Sequence, residues 1–331
     1  MISFAQAIIA WYAKNKRDLP WRFQEREGEN LYKTWLSEVM LQQTTVPTVQ
    51  SYFKRFLQKW PTLHHLAKAS EHDVLTEWQG LGYYSRARNL LKCAQQVSAD
   101  YKGEFPQEEK LLQKLPGIGP YTAAAILAIG ADKPAVALDG NIERIMARIH
   151  KIEQPLREAK PLLKKLAAMH LPKRDVSAYT QGLMDLGASI CTPAAPKCGA
   201  CPVQQHCEAY KDGVAHLIPP KPIKKALPQK FTTSFIHVES GKVLLRYRRN
   251  GNLLKNMIEL PSTPWEVLNG EAATFHVAHT FTHFQILIKV EQATPPPTAL
   301  EGEEFWHPIA ALSQLPIPTM TKKVLKYAQI L

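Results

Sequence analysis

Apolar positions recur at helical spacing through roughly the first two thirds of the chain, as in Trp35, Leu36, Val39 and Met40 and again in Leu111, Leu112 and Leu115. Turns bearing glycine and proline, Gly80-Leu81-Gly82 and Pro116-Gly117-Ile118-Gly119-Pro120, punctuate these stretches. Residues 1–212 therefore read as mainly helical. The texture changes over residues 213–230, which hold four prolines, four lysines and no acid and read as an extended linker. Beyond it, Phe231 to Val238, Lys242 to Arg248 and Phe284 to Val290 carry the β-branched and aromatic content of strands. Pro295-Pro296-Pro297 marks a loop, and Met320 to Ile330 predicts a closing helix.

Length and composition narrow the class. A chain of 331 residues suggests two domains, and 45% hydrophobic residues are enough for real cores. The longest apolar run, Tyr121 to Ala131, is shorter than the roughly 20 residues that span a bilayer. The N-terminus lacks the charged region of a signal peptide, so a cytoplasmic chain without membrane attachment is expected. A net charge of +12, shared by both halves, points to a polyanionic partner, against the plainer reading of a basic cytoplasmic enzyme. Charge alone names no chemistry.

Four of the five cysteines lie within 17 residues: Cys191, Cys198, Cys201 and Cys207. In a chain that is not secreted, such clustering indicates metal rather than disulfides. Four thiolates suit a structural zinc or an iron–sulfur cluster, and spacing alone leaves both open. Cys93 stands apart in a helical stretch and reads as core.

Upstream, Leu115-Pro116-Gly117-Ile118-Gly119-Pro120-Tyr121 joins two helical segments. Gly117 and Gly119 let backbone amides approach a phosphate, and the following helix points its positive end there. Such a contact positions DNA without reading its sequence. Two carboxylates accompany it, Glu38 in an otherwise apolar helical turn and Asp139 in Leu138-Asp139-Gly140-Asn141. Breaking a glycosidic bond calls for a proton donor and a stabiliser of an oxocarbenium-like cation. Desolvation favours protonated Glu38, and an ionised Asp139 could face the cation. Taken alone, the two also read as a surface glutamate and a turn aspartate.

The cysteine spacing and the glycine hairpin together resemble the endonuclease III family of helix-hairpin-helix DNA glycosylases. The segments around Glu38 and Asp139, with Arg17-Asp18-Leu19-Pro20-Trp21-Arg22 and Gly80-Leu81-Gly82-Tyr83-Tyr84-Ser85-Arg86, are similar to those of its adenine-specific, MutY-type members. This resemblance covers nearly all of residues 1–212. It implies a six-helix barrel with an iron–sulfur domain, and one [4Fe–4S] cluster on Cys191, Cys198, Cys201 and Cys207. It implies that Glu38 protonates adenine N7 and then serves the attacking water, while Asp139 stabilises the cation with support from Asn141 and Tyr121. Arg17, Leu19, Trp21, Arg22 and Gln181 would form the pocket for an extruded adenine. Gln42, Gln43, Tyr83, Gly117 and Gly119 would contact DNA, Gln43 intercalating and Tyr83 wedging beside the opposing base. Bifunctional relatives carry a lysine where this chain has Tyr121, which offers no amine for a Schiff base.

Residues 231–331 resemble the Nudix-like α+β recognition domain of the same family. No R-E-x-x-E-E run is present, so binding is expected rather than Mg²⁺-dependent hydrolysis. Phe281, Thr282 and His283 match the family segment that inspects 8-oxoguanine. Thr282 stands where serine is usual, and Asn256-Met257-Ile258-Glu259-Leu260-Pro261 departs from the usual pattern. The resemblance thus implies a monomeric, nucleoid-associated enzyme acting on double-stranded DNA with A:8-oxoguanine or A:G mispairs. An endonuclease III-like glycosylase/lyase for oxidised pyrimidines and a non-catalytic DNA-binding protein are the alternatives.

Overall fold

The computed structural model describes residues 2–22, 27–220, 226–249, 253–268, 274–292 and 303–331. Pro295-Pro296-Pro297 and linker residues 221–225 lie outside these. The chain divides into two compact units, residues 1–69 with 89–223, and residues 70–88 with 224–331. Among the described residues no helix is long and apolar enough to cross a membrane.

The first unit is helical. Its opening helix, Phe4–Asn15, is fixed by a capping box in which Ser3 and Gln6 satisfy each other's backbone amides. Phe4 and Ile8 from this helix meet Ile142 and Ile145 of helix Gly140–Ile149 and Leu183 and Leu186 of helix Val176–Ser189 in one buried core. The apolar run after the glycine hairpin forms helix Pro120–Ala125 and then widens into a π turn, Ile126–Gly130, which packs on helix Glu27–Leu41. Such widened turns recur at functional sites, and this one lies against the helix carrying Glu38.

Residues 213–220 differ from the extended linker read from composition. Ala215 and Ile218 are buried in the helical core, and the Arg148 guanidinium donates to the Ile218 carbonyl at 2.7 Å. Two apolar side chains and one buried cation hold a segment that composition assigned to an extended linker.

In the second unit, strand Gln229–Ile236 runs parallel to Gln285–Gln292, which pairs antiparallel with Val277–Thr280. A second sheet sets Lys242–Tyr247 against Val238–Glu239, Ile258–Glu259 and Glu303–Pro308. Helix Thr319–Tyr327 closes the core through Met320, Val324 and Leu325.

Candidate active site

Helix Glu27–Leu41 buries Trp35, Leu36, Val39 and Met40, and Glu38 goes under with them, only 7% exposed. Burial pushes its carboxyl up to about 7, with the Asp139 charge adding to the rise and the Tyr121 hydrogen bond and Arg22 opposing it. The Tyr121 hydroxyl donates to Glu38 Oε2 at 2.7 Å. That oxygen is thereby an acceptor, which leaves Oε1 as the natural seat of the acid proton. Burial, reinforced by the charges of Glu38 and Asp139, keeps Tyr121 well above its ordinary pKa, so it remains a phenol donor.

Asp139 is the N-cap of helix Gly140–Ile149. Its Oδ1 accepts from the Ile142 amide at 2.7 Å and its Oδ2 from Asn141 Nδ2 at 2.8 Å. Burial raises its pKa, while these hydrogen bonds and the Arg144 charge hold the rise back. A helix N-terminus favours a carboxylate there. Gly187 lets the neighbouring helix approach: a Cβ on it would lie 2.5 Å from that of Asn141.

One pocket brings together Arg17, Leu19, Trp21, Arg22, Gln181 and Glu38, the five residues expected to receive a base and the expected acid. Sequence reasoning missed what orders its rim. Asp185, buried, accepts from Arg22 Nη1 and Nη2 at 2.5 and 2.6 Å and from Arg17 Nε at 2.5 Å. Burial alone would raise its pKa, but Arg22 and then Arg17 bring it below the ordinary value. Its place one helical turn after Gln181 was the available signal. Asp185→Asn should strand two cations facing each other and lower unfolding stability by roughly 3 kcal/mol, read from denaturant titration.

The hairpin matches its glycine requirement. Gly117 has φ +76°, and a Cβ there would stand 2.8 Å from that of Asn89. Gly119 begins the next helix without a side-chain cap. Gln42 Nε2 donates to Thr122 Oγ1 at 3.4 Å, and exposed Gln43 follows with φ +58°.

Cys191, Cys198, Cys201 and Cys207 line a single pocket whose other walls include Ile145, Ile149, Leu186, Ile190 and Val203. Arg148 donates to Cys191 Sγ at 3.2 Å and to the Thr192 and Pro193 carbonyls, placing a fully buried cation beside the thiols. Four soft donors around an apolar pocket with a counter-cation fit an anionic iron–sulfur cluster. Among the described residues no three His, Cys, Asp or Glu gather as ligands of one metal ion. A further link, also missed, runs from this loop to the carboxylate: Arg144 donates to the Cys191 and Gly187 carbonyls and to Asn141 Oδ1, and Asn141 donates to Asp139.

In the second unit, loop 281–284 joins strands Val277–Thr280 and Gln285–Gln292, closed by the Phe281 amide donating to the Phe284 carbonyl at 2.8 Å. Trp265 packs on Phe281 and Phe284, and Thr282 and His283 are exposed. The Tyr83 and Thr282 hydroxyls hydrogen-bond each other. Glu259, buried, is paired with Arg246 and Arg248.

The model of the HhH-GPD superfamily of base excision DNA repair proteins matches residues 36–168, and that of the NUDIX domain matches residues 233–327. An adenine DNA glycosylase of Buchnera aphidicola subsp. Acyrthosiphon pisum is 38% identical, the alignment covering 78% of this chain and 73% of that protein. One from Homo sapiens is 31% identical, covering 99% of this chain and 74% of its own length. Among solved structures, a thermostable thymine-DNA glycosylase aligns with TM-score 0.56 and 28% identity, covering 63% of this chain and 95% of that one. A non-covalent endonuclease III–DNA complex shares the fold at TM-score 0.51 and 22% identity, covering 63% and 94%.

Proposed function

Because the chain belongs to the adenine DNA glycosylases, enzymes of base excision repair, we propose that it excises adenine paired with 8-oxoguanine or guanine, using Glu38 as proton donor and Asp139 as the carboxylate facing the sugar. The observation that carries this reading is a buried Glu38 with a carboxyl pKa of about 7, beside the pocket of Arg17, Leu19, Trp21, Arg22 and Gln181.

An adenine extruded into that pocket meets the Glu38 proton at N7. As the proton transfers, the bond between sugar C1′ and N9 breaks and its electron pair leaves with the base. Asp139, anchored at a helix N-terminus, stabilises the positive sugar. Water then adds to C1′, giving its proton to the Glu38 carboxylate and restoring the acid. Tyr121 positions Glu38 and supplies no amine, so the DNA strand stays intact. In this reading residues 1–212 perform catalysis, with Gln42, Gln43, Gly117 and Gly119 on the DNA, and residues 231–331 inspect the opposing base through Phe281, Thr282 and His283.

Cys191, Cys198, Cys201 and Cys207 would hold a [4Fe–4S] cluster. When bound, it ties the 191–207 loop to the helices beneath it and contributes no step of the hydrolysis.

The test is single-turnover excision on duplexes with adenine opposite 8-oxoguanine, G, C and T, each analysed before and after alkali. Excision should be fastest opposite 8-oxoguanine and next opposite G, and strand breaks should wait for alkali. Substantial nicking before alkali would falsify the monofunctional mechanism.

The raised carboxyl also sets a pH dependence. Because the reactive form of Glu38 is protonated, single-turnover rates should hold below about 7 and fall roughly tenfold per pH unit above it. A rate that climbs through pH 8 would contradict this role.

A further inference from the structure

The loop bearing Tyr83 is built into the C-terminal unit: residues 70–88 cluster with residues 224–331. Three left-handed residues, Gly80 at φ +102°, Gly82 at +70° and Tyr83 at +48°, turn the backbone so that the Tyr83 ring stands out. The base of this turn is closed locally by Trp78 Nε1 donating to the Gly82 carbonyl and Arg86 donating to Leu81 and Gly82. Gln79 ties the turn to the unit around it. Its side-chain amide donates to the Leu315 carbonyl at 2.7 Å and the Ile317 carbonyl at 3.1 Å. Two residues on, helix Thr319–Tyr327 begins, and Thr319 and Met320 line the same cavity as Tyr83, Phe281 and Thr282.

We propose that Gln79 is a positioning residue for mispair specificity, its amide locking the Tyr83 turn onto the Leu315–Ile317 segment so that Tyr83 and Thr282 present one rigid surface to the base opposite adenine. This rests on the reading that the second unit inspects that base. A single NH₂ group spanning two carbonyls fixes direction as well as distance, and neither carbonyl can accept from a carboxylate in its place. Gln79 touches neither adenine nor the sugar in this scheme. Losing the lock leaves the acid at Glu38 intact and frees Tyr83 from Thr282, so the contacts that distinguish 8-oxoguanine from guanine weaken while excision opposite G continues.

The test uses the full-length chain with its cluster and compares Gln79→Glu, Gln79→Leu and Gln79→Lys. The glutamate keeps the shape and loses the donors; the lysine changes the shape and keeps donors. At saturating protein, the ratio of single-turnover rates opposite 8-oxoguanine and opposite G should fall about tenfold in Gln79→Glu and Gln79→Leu. The rate opposite G should be unchanged, and Gln79→Lys should retain most of the preference. Hydrogen exchange in free protein should accelerate over residues 80–84 in Gln79→Glu and stay slow in Gln79→Lys, a donor-specific pattern that loss of packing alone does not give. A Gln79→Glu chain that keeps both the preference and slow exchange overturns the lock. A wild type that excises both substrates at one rate overturns the mispair reading and this specificity role together, even if the exchange pattern holds.

Discussion

Glu38→Gln should lower single-turnover adenine excision about 10³-fold while leaving duplex affinity within a few-fold of the wild type. The amide is nearly isosteric and can still accept the Tyr121 hydroxyl, so the pocket beside Arg22 and Gln181 keeps its form. It has no proton to give to a purine nitrogen at any working pH. The variant's residual rate should therefore lose the decline above about 7 that Glu38 imposes. A binding isotherm and a single-turnover time course on the same duplex separate the two effects. Retained excision in this variant would remove Glu38 from the chemistry. If Asp139→Asn also excised normally, nothing would remain of the two-carboxylate scheme.

Loss of the proposed cluster should have the broadest consequence. Cys198→Ser is expected to give colourless protein with a lowered unfolding temperature and weakened DNA binding. The loop from Cys191 to Cys207 has little regular structure, and its order depends on what its side chains bind. Its thiols line a pocket walled by Ile145, Ile149 and Leu186, which also belong to the core shared by Phe4, Ile8 and Leu183, so disorder there exposes that core. Damage should reach Asp139 through Arg144, whose guanidinium joins the Cys191 carbonyl to Asn141. Excision should thus fall further than weakened binding explains. Absorbance in the visible range distinguishes an iron–sulfur chromophore in the wild type from colourless zinc. A cluster-free protein with full stability and DNA affinity would end the structural role.

The legible features were those written in contiguous segments. Arg17 to Arg22 form one short run and the cysteines another, so their types and spacing survive without knowledge of the fold. Glu38 was visible as a carboxylate among apolar neighbours, and the structure puts it under with them. Asp185 offered only its place one turn after Gln181, because what gives it meaning is a guanidinium 163 residues away in sequence. Arg144 and Arg148 looked like two more charges on a basic chain, yet both are largely buried and bonded to the cysteine loop. Residues 70–88 lie among helical segments and cluster with the C-terminal residues instead, a choice made by long-range packing that periodicity does not encode. Local pattern reveals reagents; partners separated by a hundred residues or more must be seen in place.

The buried acid has a thermodynamic side as well. Glu38 binds its proton more tightly in the folded chain, near 7, than at its ordinary value of 4.5. Between those values the folded state holds more protons than the unfolded one, so this group's contribution to stability is whole below 4.5 and is lost as pH rises toward 7, by a few kcal/mol at most. The burial that keeps Glu38 protonated up to about 7 therefore costs the fold stability above that pH. A neutral amide at position 38 removes the penalty, and the inert enzyme should be the sturdier fold at pH 8.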